Sequence, residues 1–183
     1  MHINKFDMFA MSETWLNSTW SDPELAIDGY SLHRCDRVGS KGGGTAIYVK
    51  DSLVCRRIEL LDKETNAEYV CLVLKQHSAG PKFLFVVFYR PPNSPVETYN
   101  HISNLLVTAS CHCDEIIVTG DFNVDVLNTS NVNCKLTKIC CDAGLKQLVN
   151  TATRECKGTA TLFDHLYTTH EGRITEILVP SMD

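Results

Sequence analysis

Short apolar runs separated by turn residues constrain the fold of this sequence most. The run 116–119 within IIVTGDFNVD is typical of a buried strand that ends at Gly120. Further strands are predicted at 6–11, 45–49, 69–74, 83–88, 163–168 and 174–179, the last two as a pair. Only the stretches 94–110 and 132–143 have convincing helical features. This pattern predicts an α+β fold: two stacked, mostly antiparallel sheets flanked by helices in a four-layer α/β/β/α sandwich.

Capping residues, proline and glycine in the sequence indicate where the helices begin and end. Ser94 is predicted to cap the first helix, with Pro95 at its first position and Glu97 completing a capping box. The second helix is predicted to end at Gly144. A short helical turn is expected at 21–27, after Ser21. The triple glycine at 42–44 is expected to lead into the strand at 45–49.

Composition and charge limit the classes of function. The 183 residues have the length of one domain, so 1–183 is predicted as a single unit. The apolar fraction of 44% and charged fraction of 21% are those of an ordinary globular protein. A net charge of −5 means that the molecule as a whole does not attract nucleic acid. Any phosphate-binding surface must therefore be local or depend on a metal.

Cysteine usage favours a reduced, intracellular protein. The count of nine is odd, and no repeated C-x-x-C spacing occurs. A zinc site at Cys111, His112 and Cys113 is a weaker alternative, because adjacent ligands do not make a tetrahedral cage. No apolar run has membrane-spanning length, and the amino terminus lacks a signal-peptide pattern. A soluble protein without membrane contact is expected.

Asp121 and Asn123 follow the strand at 116–119 directly. Because side chains alternate along a strand, residues two apart are expected to face the same side. A carboxylate beside a carboxamide offers oxygen ligands that suit a hard cation near phosphate. An Asx turn after a strand explains the same two residues equally well. The pair alone therefore leaves both interpretations open.

Motifs elsewhere in the chain favour the functional interpretation. ETWLN (13–17), the segment 29–50, FYRPPNSP (88–95), TGDFNVD (119–125) and the segment 151–169 occur in a definite order. In that order they resemble the endonuclease/exonuclease/phosphatase superfamily, which has the deoxyribonuclease-I-like fold. The details are most similar to the endonuclease domain of LINE-type (non-LTR) retrotransposons. The resemblance spans nearly the whole chain and implies a DNA-nicking enzyme.

The resemblance implies a role for each of five residues. Glu13 is expected to bind Mg²⁺ or Mn²⁺, a cation that keeps most of its waters. Asp121 is expected to orient or deprotonate the attacking water, and Asn123 to hold that water or a phosphate oxygen. Tyr89 is expected to donate a hydrogen bond to the phosphate. Asn93 is expected to contact substrate, although the Y-R-P-P-N spacing is one residue longer than in abasic-site endonucleases.

The motif FDH adds two neighbours with different roles. Asp164 is expected to accept a hydrogen bond from a catalytic histidine, whereas His165 points to the opposite face of its strand and is interpreted as structural. Cationic side chains near the strand ends are candidates for contact with the DNA backbone: Arg34, Arg37, Lys41, Arg90 and Arg154. Taken singly, each of these charges is better explained by an ordinary solvated loop.

Two landmarks of the family lack a counterpart in this sequence. The family has an asparagine on a strand before the E-T-W motif, and Asn4 lies too close to that motif to replace it. A terminal S-D-H motif is also expected, but the sequence ends in VPSMD, with Asp183 and no later histidine. The expectation is a domain incomplete at both edges, with impaired catalysis. Its alternatives are an inactive relic or nucleic-acid-binding module and, ranked lower, a phosphatase of the same superfamily.

The implied partners follow from the retrotransposon resemblance. DNA is the expected substrate, and a reverse-transcriptase domain is the expected companion in a complete element. A location in the cell nucleus is expected if the domain is active.

Overall fold

A computed structural model describes residues 6–62, 65, 67–128, 131–156 and 158–180, with the backbone alone at 131–134. Asn4 and Asp183 lie outside the described residues. The described strands and α-helices are, in chain order, β1 Met8–Ser12, β2 Tyr30–Cys35, β3 Thr45–Lys50, β4 Val54–Arg57, β5 Glu68–Lys75, β6 Lys82–Tyr89, α1 Glu97–Ser110, β7 Ile116–Asp121, α2 Asn131–Asp142, β8 Lys146–Gln147, β9 Arg154–Cys156, β10 Thr159–Thr161 and β11 Asp164–Thr168.

The larger sheet has six strands in the order β4-β5-β6-β7-β11-β8. Its long central strands β5 and β6 are almost entirely buried, because both of their faces are covered. All of its pairings are antiparallel except β6 with β7, where helix α1 forms the crossover. The carboxyl ends of β6 and β7 therefore lie side by side at one edge of the sheet, and this edge carries the candidate site.

The smaller main sheet has three antiparallel strands in the order β1-β3-β2. Ile47 and Val49 of β3 point inward and pack in one cluster with Val70, Leu72 and Val87 of the larger sheet. Alternate residues of β1 and β3 face outward, where Phe9 and Tyr48 stack with ring centroids 4.7 Å apart. The alternation of inward and outward side chains is what allows the two sheets to stack.

Both α-helices cover the other face of the larger sheet. Tyr99, Ile102, Leu105, Leu106 and Ala109 form the buried stripe of α1. These residues pack against inward side chains of β5, β6 and β7, together with buried residues of α2. The described part thus has a helical layer, a six-stranded sheet and a three-stranded sheet, and a 3-10 turn at Asp22–Leu25 lies near the smaller sheet.

The observed architecture confirms the predicted α+β fold of two stacked sheets with helices outside. The strands predicted at 45–49, 69–74, 83–88 and 116–119 are present with slightly different ends. The prediction that 174–179 forms a strand paired with 163–168 is wrong, because 174–180 has no strand structure. The reason is geometric: β11 already pairs with β7 on one side and β8 on the other.

The predicted cap of the first helix is also wrong in detail. Helix α1 begins at Glu97 after Val96, and no side chain caps its amino terminus. The Ser94 hydroxyl donates to the Pro91 carbonyl at 2.6 Å, so it is engaged in the preceding turn. The Y-R-P-P-N segment therefore forms a compact turn ahead of the helix rather than its first residues.

The cysteines behave as reduced thiols in the described part of the chain. Each of the eight described cysteines is free. Cys113 packs in the core beneath α1, whereas Cys111 is exposed. Within the described ranges no group of three His, Cys, Asp or Glu side chains is arranged to hold a metal, so the zinc alternative at 111–113 is not supported. No helix of these ranges is long and apolar enough to cross a membrane.

Candidate functional site

Glu13 lies just beyond β1, with its carboxylate held by three hydrogen-bond donors. The Tyr89 hydroxyl donates to Oε1. The Trp15 indole N–H and the Gly43 backbone N–H donate to Oε2, at 2.7 and 2.9 Å. Burial opposes ionisation, but these three donors outweigh it and lower the pKa of Glu13 below its ordinary value. Glu13 is therefore a fixed negative charge at the edge of the sheet.

The triple glycine supplies the backbone that surrounds Glu13. Gly42, Gly43 and Gly44 all have positive φ angles of 70–85°, which side chains rarely tolerate. Two backbone N–H groups just after β1 donate to carbonyls of this segment, and one of them is Trp15 N–H, which donates to the Gly43 carbonyl at 2.8 Å. Gly44 N–H donates to Glu68 Oε2 at 2.5 Å. The segment thus presents two consecutive amides to two carboxylates.

Arg37 is a half-buried residue that holds this arrangement together. Its guanidinium donates to Glu68 Oε1 through Nε at 2.8 Å and lies 2.7 Å from the same oxygen through Nη2. It also covers the ring of Tyr89, 5.3 Å from the centroid. The prediction that Arg37 contacts DNA needs correction, because its guanidinium is already paired inside the site. Burial, together with the hydrogen bond to Glu13, raises the pKa of Tyr89.

Asp121 and Asn123 meet as the motif predicted. Asn123 N–H donates to Asp121 Oδ1 at 2.8 Å, and Asn123 Nδ2 donates to Oδ2 at 3.2 Å. Asn123 has a φ of 48°, which asparagine tolerates better than most residues, and the turn is an Asx turn. Asn123 Nδ2 also donates to the Arg90 carbonyl at 3.0 Å, which links β7 to β6. The Asx-turn interpretation of the motif is therefore confirmed, and the turn places the carboxylate and the carboxamide together.

Gly120 has a different role from the one predicted. It lies inside β7 rather than at its end, with a φ of 138°. A Cβ atom at this position would overlap the carbonyl oxygen of Phe88 on β6. The glycine therefore permits close approach of the two strands. This approach brings Asp121 next to the strand end that carries Tyr89.

The environment of Asp121 makes its carboxyl unusually basic. Burial is the main cause, and the negative charges of Asp164 and Glu13 add to it. The Asn123 N–H and the Arg154 guanidinium act in the opposite direction. The net result raises the pKa of Asp121 to about 6. Asp121 is thus the acidic group of the site whose protonation changes near neutral pH.

Asp164 lies directly opposite Asp121 across the β7–β11 pairing and is exposed. His165, the next residue, is 1% exposed and stacks on Phe122 with ring centroids 5.0 Å apart. Its Nε2 lies 2.9 Å from the Val124 carbonyl, and burial lowers the pKa of the imidazole. The structure confirms that His165 is a buried structural residue that faces away from Asp164.

The remaining predicted substrate contacts separate into three environments. Arg154 is exposed on β9, near enough to Asp121 to influence its pKa. Asn93 is exposed in the turn after β6, with a φ of 59°. Arg90 is 6% exposed: it donates to the carbonyls of Phe122 and Ser94 at 3.3 Å and lies over the ring of Tyr99. The predicted contact of Arg90 with DNA is corrected, because this guanidinium lies inside the protein.

The two other cations predicted in loops beside this edge differ in their environments: Arg34 lies in β2 rather than in a loop, whereas Lys41 is exposed in the segment before β3. Arg34 is paired with Asp22 at 2.9 Å and with Asp36 at 3.2 Å. The Lys41 ammonium lies 5.3 Å from the ring centroid of the exposed Trp15. Of the predicted cations, Lys41 and Arg154 are therefore the ones that remain available at the surface near the site.

Two features of the site were missed by the sequence interpretation. Trp15 stands inside the quoted motif ETWLN, yet its role as a donor to Glu13 was not foreseen. Glu68 begins an apolar strand and gave no signal of its buried pairing with Arg37. The triple glycine was the available clue, since a Cβ atom at Gly43 would overlap Glu68 and Arg37, so that only glycine fits there.

A two-sheet sandwich has acidic and amide side chains gathered where β1, β6 and β7 end and where the antiparallel strand β11 begins, and this arrangement defines the deoxyribonuclease-I-like class of protein. A family model described as the endonuclease/exonuclease/phosphatase family matches residues 2–173, and the chain belongs to this family.

Solved structures agree on the fold. The endonuclease domain of TRAS1, a telomere-specific non-LTR retrotransposon, superposes with a TM-score of 0.70 at 17% identity, covering 92% of this chain and 74% of that one. The AP endonuclease LMAP from Leishmania major gives 0.67 at 14% identity, covering 90% and 70%. ANGEL2, a 2′,3′-cyclic phosphatase, gives 0.64 at 15% identity, covering 92% and 71%. A search of curated protein sequences found no match.

Proposed function

We propose that this chain is a metal-dependent endonuclease domain that cleaves a phosphodiester bond of DNA. The observation that carries the proposal is the pair formed by Asp121 and Asn123 beside the fixed carboxylate of Glu13. Tyr89 donates to Glu13, and the Arg90 carbonyl next to it accepts from Asn123, so one short stretch of β6 links both halves of the site. The order of motifs supports a nuclease rather than a phosphatase.

Asp121 acts as the base in this proposal. A carboxyl with a pKa of about 6 is ionised at neutral pH, yet it is basic enough to accept a proton from water. The water oxygen attacks phosphorus, its proton passes to Asp121, and the bond to the sugar oxygen breaks. The sugar oxygen leaves with the electron pair of that bond and takes up a proton from solvent. Asn123 orients Asp121 through two hydrogen bonds and holds the carboxylate against β6. Asp164 keeps the base strong by its charge on the facing strand.

The ligands present suit a hydrated hard cation. Three of the lone-pair positions of the Glu13 carboxylate already accept hydrogen bonds, so one position is left for a metal. Mg²⁺ and Mn²⁺ accept such single carboxylate ligands and complete their shells with water and substrate phosphate. When bound, the cation supplies positive charge that stabilises the transition state and the leaving oxygen. Tyr89 keeps Glu13 oriented for this purpose.

The domain is proposed to be of the non-LTR retrotransposon type. Its nick in target DNA would prime synthesis by a reverse-transcriptase domain of the same element, which also implies action in the nucleus. Support comes from the motifs ETWLN, FYRPPNSP and TGDFNVD and from the fold shared with the TRAS1 endonuclease domain. Arg154 and Lys41 are the proposed contacts to the DNA backbone, and Asn93 is proposed to contact substrate from the turn after β6.

The decisive experiment measures nicking of supercoiled plasmid with Mg²⁺, and again with EDTA. The expected result is metal-dependent conversion to the open circle, lost in Asp121→Asn and in Glu13→Gln. The matched control is Asp28→Asn, which removes an exposed carboxylate from the turn before β2. Plasmid binding without nicking would instead support a binding module. Nicking that survives in Asp121→Asn would overturn the assignment of the base.

A further inference from the structure

Trp15 is a large aromatic residue that is exposed to solvent at the candidate site. The residue is 56% exposed, although its indole nitrogen is 2.7 Å from Glu13 Oε2. An exposed tryptophan of this kind is costly, since burial of such a ring is among the largest apolar contributions available. Its position within hydrogen-bond reach of the proposed metal ligand indicates that the exposure serves the site.

The backbone around Trp15 is strained as well. Trp15 has a φ of 57° and Glu13 a φ of 55°, a conformation that is rare for residues with bulky side chains. The Gly43 carbonyl accepts from Trp15 N–H at 2.8 Å and keeps this conformation in place. Strained residues of this kind cluster at functional sites, where the surrounding structure imposes them. The loop therefore fixes both the indole nitrogen and the exposed ring.

Charge near the ring points to the chemistry of its partner. The Lys41 ammonium lies 5.3 Å from the ring centroid, and Lys41 itself is exposed. Lys41 thus covers one face of the indole, which leaves the opposite face for a base. Sites for single-stranded nucleic acids combine aromatic rings, on which bases stack, with cations that contact the phosphates. The net charge of −5 makes long-range attraction of DNA unfavourable, so stacking supplies binding energy that overall charge does not.

We propose that Trp15 stacks on an unpaired nucleobase next to the phosphate that is cleaved. The preferred substrate is then DNA with an unpaired or unstacked nucleotide at the cleavage site. This inference rests on the proposed nuclease function, and it adds a specificity residue that also positions Glu13. Because the indole nitrogen and the ring act on different partners, the two roles of Trp15 are separable by substitution.

Two substitutions separate these roles. Trp15→Phe keeps an aromatic face but loses the donor to Glu13, whereas Trp15→Leu loses both. We expect Trp15→Phe to bind a short oligodeoxythymidylate within about twofold of the unsubstituted protein. Trp15→Leu is expected to bind it about tenfold more weakly or worse. Equal affinity of all three proteins would overturn the stacking role.

A spectroscopic measurement tests the contact without relying on affinity differences. The chain has two tryptophans, so Trp20→Phe leaves Trp15 as the only indole. In EDTA, which prevents cleavage, oligodeoxythymidylate is expected to quench the fluorescence of Trp15. An oligomer of the same length with abasic residues keeps the phosphates and is expected to quench little. Equal quenching by both oligomers, or by neither, would overturn the proposal.

The same experiments distinguish failure of this inference from failure of the proposed function. Base-dependent quenching without nicking in Mg²⁺ would support the stacking role of Trp15 but refute the proposed nuclease function. Nicking that does not discriminate between fully paired DNA and DNA with an unpaired nucleotide would leave the nuclease and refute the stacking role.

Discussion

Replacing Asp121 by asparagine is expected to stabilise the fold while it removes the proposed activity. The raised pKa of Asp121 means that the folded protein holds the neutral form more tightly than the unfolded chain does. The ionised carboxylate therefore costs stability. The cost is fully present above the folded pKa of about 6 and vanishes below the ordinary value of 3.8.

The size of this cost follows from the shift. A displacement from 3.8 to about 6 corresponds to about 3 kcal/mol, at roughly 1.4 kcal/mol per pH unit. Asp121 is only partly buried, so solvent screening reduces the cost to about 1–2 kcal/mol. Asparagine keeps one acceptor for Asn123 but loses the second hydrogen bond. This loss lowers the stability of Asp121→Asn by about 0.5–1.5 kcal/mol at every pH.

The quantity that tests this reasoning is the difference in unfolding free energy between the two proteins, and how that difference changes with pH. Urea unfolding of the unsubstituted protein and of Asp121→Asn is measured in EDTA at about pH 8 and about pH 4.5. About two thirds of the cost is relieved over this interval, so the stability of Asp121→Asn relative to the unsubstituted protein is expected to fall by about 1 kcal/mol between the higher and the lower pH. Asp28→Asn, which lies on the surface, is the control for removal of a charge.

Two outcomes would contradict this reasoning. A difference in unfolding free energy that is the same at both pH values would show that the carboxyl is not perturbed in the folded protein. A difference that grows as the pH falls would show that folding favours the charged form. Either result would also remove Asp121 as a base matched to neutral pH.

Three further predictions follow from the site. The rate of nicking is expected to rise as pH increases through about 6 and then level off, because the base must be unprotonated; a rate profile that is flat from about pH 5 to 8 would contradict this. Tyr89→Phe removes a donor to Glu13, so a higher Mg²⁺ concentration for half-maximal nicking is expected, as measured by metal titration. Gly120→Ala is expected to destabilise the protein by about 3 kcal/mol or more in urea unfolding, because the new methyl group overlaps the Phe88 carbonyl; a loss under about 1 kcal/mol would show that the strands separate easily.

The amino-acid sequence alone predicts the central strands, both α-helices and the motifs at the strand ends. Local patterns are sufficient for this, since the period of apolar residues and the turn residues distinguish strands from helices. The strand before Asp121 and the helical stripe of Ile102 and Leu105 were both predictable in this way. The pairing of Asn123 with Asp121 was equally accessible, because an aspartate directly after a strand commonly accepts a hydrogen bond from the backbone N–H two residues on in an Asx turn.

Which side chains are exposed, which strand edges are free and which donors reach Glu13 depends on the tertiary structure. Arg90 is charged and adjacent to a motif, yet packing beneath Ser94 and Tyr99 removes it from the surface. Segment 174–180 has the composition of a strand, but both edges of β11 are occupied, so it has no partner there. The donors to Glu13 come from Trp15, Gly43 and Tyr89, which lie up to 76 positions away along the chain. Contacts between distant segments depend on how sheets stack and strands approach, and a local pattern of residues carries no record of that geometry.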